Sequence, residues 1–188
     1  MQLYAGTKGK LGQKTRLSGA IAVSAPYEMK TSVERIERFG GFIDRKVLRN
    51  LQTVFLEHRD EPRYQKFLKQ IKVDESAIRS ARSLYEFDDN VSCFFFLGRK
   101  GVEELYDHFS GNRRLEHVEF PVLVDNSFYD PVVDGDSLDR AKILENENFF
   151  CCEVRDGGHV TYPHGCLLKN YSVMLAGKWI EVINAELG

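Results

Sequence analysis

Residues 121–133 read PVLVDNSFYDPVV, and residues 149–162 read FFCCEVRDGGHVTY. Each opens on a short apolar run and closes on turn-forming residues, Asp130-Pro131 in the first and Gly157-Gly158 in the second. Runs of this length, bounded by such residues, are strands. The expected bounds are 121–126 and 149–154, with a helix over about 136–146 between them and another over about 167–187 after them. Strand, helix, strand, helix in this order predicts two parallel strands joined by a right-handed crossover.

Parallel strands joined in this way release their following loops on one edge of the sheet, where folds of this class hold their ligands. Adjacent strands are only about 4.8 Å apart. Asp130, in the first loop, and His159, in the second, are therefore within reach of one another. A carboxylate that accepts a hydrogen bond from one imidazole nitrogen fixes the tautomer and leaves the other nitrogen to take a proton from a hydroxyl nucleophile. Alone, Asp before Pro is an ordinary turn element, and Gly-Gly-His an ordinary tight turn. Acid then histidine, at the ends of two successive parallel strands, points instead to an orienting acid and a general base.

Upstream, GAIAVSAP over 19–26 is a small-apolar run ended by proline, as expected of a parallel strand buried on both faces. Helices are expected over about 42–59, where Ile43, Val47, Leu48, Leu51, Val54 and Phe55 recur at helical spacing, and over about 76–85 and 102–109. The segments EFDDN and CFFFLG separate the last two, and together these stretches form a helical insertion between strands. The residues up to Tyr4 read as the tail of a helix that ends in the Gly- and Lys-rich segment 6–12.

Composition narrows the function classes. The 188 residues are 43% hydrophobic and 29% charged, enough for a substantial core. Lys and Arg (26) nearly balance Asp and Glu (28), so no long-range field favours nucleic acid. MQLYAGTKGKLGQKTR has no apolar signal core, and no run nears the roughly 20 apolar residues of a spanning helix. Cys93, Cys151, Cys152 and Cys166 lack zinc-site spacing and read as reduced thiols, which suggests a cytoplasmic setting, with membrane association through sequence absent here as the alternative. Cys151 and Cys152, adjacent in a strand, should face opposite sides.

Of the histidines at 58, 108, 117, 159 and 164, only the last two lie near each other in sequence, and no third ligand accompanies them, so no metal and no cofactor is expected. Asp88 and Asp89 read as a polar turn or helix cap. Phe94, Phe95 and Phe96 suit an acyl channel or plain core packing equally.

The segments NSFYDPVV, DGGHVTY, YEFDDNV and LYDHFSG resemble α/β-hydrolases of the YheT and EMB8 type, which are similar to mammalian hydrolases of membrane lipid esters. The resemblance implies the C-terminal part of an α/β-hydrolase fold, with three predominantly parallel strands, flanking helices and a helical lid insertion. It divides the chain into 1–26 (helix end and the strand before the lid), 27–117 (lid region) and 118–188 (the last strands and helices). Asp130, immediately before proline, falls on the family's triad aspartate, and His159 falls on its triad histidine. The implied activity is that of a serine esterase or lipase acting on acylglycerols or other acyl esters. An acyltransferase, or a non-catalytic binding module, are the alternatives.

The family's G-x-S-x-G elbow occurs nowhere in the chain, and the oxyanion loop and earlier strands are missing with it. Ser24, Ser127 and Cys166 lie outside any Gly-flanked elbow. The sequence thus reads as beginning just after the nucleophile, and the strand at 19–26 is expected to present an open edge.

Overall fold

A computed structural model of the chain describes residues 2–38, 41–99, 101–160, 162–164 and 169–187, the side chains of 2, 3, 164 and 187 excepted. Residues 1–32 with 109–188 make one compact unit, and residues 33–108 a second.

The first unit is built on a parallel sheet of three strands, β1 (Ala20–Val23), β2 (Val122–Ser127) and β3 (Phe149–Val154), in the order β1-β2-β3. Val122 pairs with Ala20 on one side and Phe149 on the other. Ala5, Tyr27, Leu115, Phe120, Val122, Val124, Leu138, Ile143 and Phe149 form the core on one face. A large apolar side chain buried there contributes about 1.5–3 kcal/mol. The last helix of this unit, Tyr171–Leu187, serves the opposite face: Trp179 meets Phe150 at 5.1 Å, and the Tyr171 hydroxyl lies 3.7 Å from Cys152 Sγ. Cys151 and Cys152 do point to opposite sides, because strand neighbours alternate. Among the described residues β1 pairs only with β2, which leaves its other edge open, with Ile21 and Val23 half-buried.

Several helical expectations shift: the helix expected over 76–85 is broken at 81–83 into Glu75–Ser80 and Leu84–Phe87. Helix α1 (Gln2–Lys10) does not end near Tyr4 but runs through Gly6 and Gly9. These glycines let it lie against the backbone of 114–117: a Cβ on Gly6 would sit 2.5 Å from the Arg114 carbonyl oxygen, and one on Gly9 would overlap the His117 carbonyl. Close packing, invisible locally, outweighs glycine's helix penalty of about 1 kcal/mol. In the crossover, the expected start at Asp136 is a 3₁₀ turn (Gly135–Ser137), and the helix proper is Arg140–Glu145, capped by Asp139 accepting from the Lys142 amide at 3.2 Å. Cys166 and residue 167 lie outside the described residues, but the helix does not start there: Lys169–Asn170 form a short strand antiparallel to Pro163–His164, and the last helix begins at Tyr171.

The second unit is wholly helical among its described residues. Its elements include the later part of α2 (Met29–Arg38), then α3 (Phe42–Glu57), α4 (Pro62–Ile71), α5 (Glu75–Ser80), α6 (Leu84–Phe87), a π-helical turn (Asp88–Ser92), α7 (Cys93–Leu97) and α8 (Val102–Phe109). Ile78, Phe87, Val91 and Cys93 are buried in it. The EFDDN segment is not a spacer: Asp88 accepts from Ser92 Oγ at 2.6 Å and from the Tyr106 hydroxyl at 3.0 Å, which ties the π-turn to α8. Phe95 and Phe96 are exposed, 44% and 55%, and stack edge to face.

Candidate active site

Strand β2 ends in Asp125, Asn126 and Ser127, all buried although polar. The chain then turns outward through exposed Phe128 and Tyr129 and back in at Asp130, which is 1% exposed. Its Oδ1 accepts from the amides of Val132 (2.7 Å) and Val133 (3.0 Å). Pro131 supplies no amide to compete, and the Asp side chain closes the turn over its own following backbone.

Strand β3 delivers His159 from the neighbouring loop. Its Nδ1 lies 3.0 Å from Asp130 Oδ2, with the imidazole 38% exposed. The two residues singled out from sequence are thus brought together, through the parallel register that pairs Ser127 with Val154. Burial works to raise the Asp130 carboxyl, but the hydrogen bonds from His159 and from the Val133 and Val132 amides outweigh it and hold the group below the ordinary carboxylate range. An ionised, fully partnered carboxylate facing Nδ1 selects the tautomer protonated there, which leaves Nε2 with its lone pair.

The serines noted in the sequence have other tasks. Ser127 Oγ donates to the Gly157 carbonyl at 3.2 Å. Ser24, 3% exposed at the end of β1, accepts from the Val160 amide at 3.0 Å and shares a 2.5 Å hydrogen bond with the Tyr162 hydroxyl. Neither makes a hydrogen bond to His159.

Tyr162 is a residue that sequence reading did not single out. It is 2% exposed, and its ring lies where a Cβ on Gly157 would be, which explains glycine at that position. Ser24 and Val160 both have positive φ, 47° and 53°, a conformation that costs a non-glycine residue about 1–3 kcal/mol.

Arg140 grips Glu153 at 2.6 and 3.0 Å, and its guanidinium covers the Phe128 ring at 5.4 Å. A cavity of about 690 Å³, lined by Glu116, Glu119, Lys142, Glu145 and Glu147 among others, opens at the other end of the strands and plays no part here. The described residues include no group of three His, Cys, Asp or Glu placed to hold a metal. His58 is exposed and bonded to Glu61 at 2.7 Å, and the His164 side chain lies outside the described ones.

No protein-family model matches the chain. It is similar to the phospholipase ABHD3 of Bos taurus, 28% identical over 157 residues that cover 84% of this chain and 37% of that protein. It is also similar to a monoacylglycerol lipase of Saccharomyces cerevisiae, 24% identical over 159 residues (81% of this chain, 34% of that protein). Monoacylglycerol lipase ABHD2 of Danio rerio is 26% identical over 137 residues (72% and 31%). These relatives are α/β-hydrolases. With the three parallel strands and flanking helices, the architecture follows. The fold is a partial α/β-hydrolase fold. The chain spans between 28% and 37% of the length of the curated relatives it matches. No described helix is long and apolar enough to cross a membrane.

Proposed function

We propose that this chain supplies the acid and the base of a serine hydrolase of the YheT and EMB8 type, acting on acylglycerols or other acyl esters. The observation that carries the reading is the 3.0 Å contact between Asp130 Oδ2 and His159 Nδ1 at the ends of adjacent parallel strands, with Asp130's other oxygen held by two amides.

In this mechanism a serine hydroxyl from sequence outside these 188 residues attacks the ester carbonyl while His159 Nε2 takes its proton. Asp130 stabilises the imidazolium through Nδ1–H. The proton passes to the departing alkoxide, and the acyl group stays on the serine. Water, deprotonated by the same nitrogen, then releases the acid. An alcohol in place of water would give acyl transfer by the same steps. Among the relatives, the names phospholipase and monoacylglycerol lipase support a glycerolipid ester as the substrate. The helices of residues 27–117 would form the lid, residues 118–188 would carry the pair, and the free thiols Cys93, Cys151 and Cys152 suit a cytoplasmic setting.

The lack of any G-x-S-x-G, together with the commitment of the Ser24 and Ser127 hydroxyls to loop hydrogen bonds, favours one second reading: a non-catalytic, hydrolase-like binding module. Fluorophosphonate labelling separates the two. A form extended upstream to include a G-x-S-x-G should be labelled, and His159→Ala should abolish labelling, while the 188-residue chain stays unlabelled. Failure of the extended form to label would favour the binding module.

A further inference from the structure

We infer that Ser24 is a positioning residue for His159: its hydroxyl, backed by the buried Tyr162, anchors the backbone on the C-terminal side of the histidine so that Nδ1 meets Asp130. The inference rests on reading Asp130 and His159 as an acid and base pair.

Hydrogen bonds connect the loop after β3 to the ends of both other strands. On the N-terminal side of His159, Ser127 at the end of β2 donates to the Gly157 carbonyl at 3.2 Å. On the C-terminal side, the Val160 amide donates to Ser24 Oγ at 3.0 Å, from the end of β1. His159 is therefore held between two anchors drawn from two adjacent strands.

The Ser24 anchor is itself fixed. Its own amide donates to the Asp125 carbonyl at 2.9 Å, and its hydroxyl shares a 2.5 Å hydrogen bond with Tyr162 Oη, which lies 3.5 Å from that same carbonyl. One set of donors satisfies every atom: the Val160 N–H donates to Ser24 Oγ, Ser24 O–H to Tyr162 Oη, and the Tyr162 O–H to the Asp125 carbonyl. Such a series strengthens each member by polarisation in a buried setting.

Backbone conformation adds an independent sign. Among the described residues only Ser24, Lys72 and Val160 are non-glycine residues with positive φ. Two of these three are joined directly by the Val160 to Ser24 hydrogen bond. Val160 is β-branched, the residue type least suited to that region, and it follows His159 immediately. A conformation that unfavourable persists when its surroundings over-determine it, and such residues gather beside functional groups. Tyr162 completes the arrangement by filling the space that a side chain at Gly157 would need.

The test uses the isotope-labelled 188-residue chain and two NMR readouts. The first is the low-field Nδ1–H resonance of His159, identified by its loss in Asp130→Asn. The second is hydrogen exchange at the Val160 amide. The key variant is Ser24→Gly, which removes the hydroxyl while making the positive φ easy to adopt, so that strain and hydrogen bonding are separated. Expected are exchange at Val160 faster by about tenfold or more, as for loss of one ordinary hydrogen bond, and loss or broadening of the His159 resonance with the sheet amides still protected. Tyr162→Phe should move both readouts in the same direction by a smaller factor.

Wild-type exchange at Val160 and an unchanged His159 resonance in a folded Ser24→Gly would overturn the inference. If Ser24→Gly does not fold, Tyr162→Phe decides, and unchanged readouts there overturn it equally. A wild-type chain with no Asp130-dependent resonance would instead overturn the pairing behind the proposed function, and Val160 exchange would still judge the anchor.

Discussion

Replacing Asp130 distinguishes a carboxylate that organises its loop from one that merely neighbours a histidine. In Asp130→Ala the amides of Val132 and Val133 lose a charged acceptor, and His159 Nδ1 loses its partner. Hydrogen bonds to charged groups contribute about 1.5–3 kcal/mol each, so the two amides together represent about 3–6 kcal/mol. Val132 is half-buried and can recover a water, whereas Val133 is 2% exposed and cannot, which places the expected loss near the lower end, about 3 kcal/mol. Asp130→Asn keeps an acceptor for both amides at neutral strength and should lose only about 1–2 kcal/mol. Its amide nitrogen, however, donates towards Nδ1, so the His159 proton should move to Nε2 and remove the free lone pair there. Urea unfolding followed by circular dichroism gives the stabilities, and ring-nitrogen chemical shifts give the tautomer. If Ala and Asn are equally stable, or both lie within about 0.5 kcal/mol of wild type, Asp130 does not hold the turn.

Gly9→Ala sets helix propensity against packing. Propensity alone predicts a gain of about 1 kcal/mol, but a Cβ there overlaps the His117 carbonyl, so a lower urea midpoint is expected, and a higher one would contradict the packing of α1. Carboxyl-carbon NMR titration should place Asp130 below the ordinary carboxylate value of about 4, and Asp88, half-buried and only partly compensated by Ser92 and Tyr106, above it. The linked stabilities then run in opposite directions. The contribution of Asp130 is present above the unfolded value and lost as pH falls through the folded one, whereas that of Asp88 is present below the unfolded value and lost as pH rises through the folded one. Titration of both groups at the same pH would contradict the two environments.

Much of the sheet was legible because strand signals are local. FFCCEV, bounded by polar and glycine residues, is read at the bounds the fold adopts, Phe149–Val154. VEELYDHF is likewise read correctly as the helix Val102–Phe109. Less legible were MKTSVERIER and PRYQKFLKQI, the helices Met29–Arg38 and Pro62–Ile71. Their apolar residues do recur at helical spacing, Met29, Val33 and Ile36 in one and Tyr64, Phe67, Leu68 and Ile71 in the other, and Pro62 at the first helical position was a further usable sign, so both were open to a sequence reading that did not pick them out. CFFFL, rich in residues that favour strands, is helical after the π-turn because tertiary packing overrides weak local preference.

Sequence by itself determined the parallel order of the last two strands and the meeting of Asp130 with His159, since a crossover connection has one favoured hand and brings both loops to one edge. Only the tertiary structure decided that Gly6 and Gly9 belong to a helix, that the Ser24 and Ser127 hydroxyls bind the backbone beside His159, and that Tyr162 lies over Gly157. Those features depend on which backbone atoms come within a few tenths of an ångström of each other across distant segments, such as Ser24 and Val160, and no local pattern of residues encodes that distance.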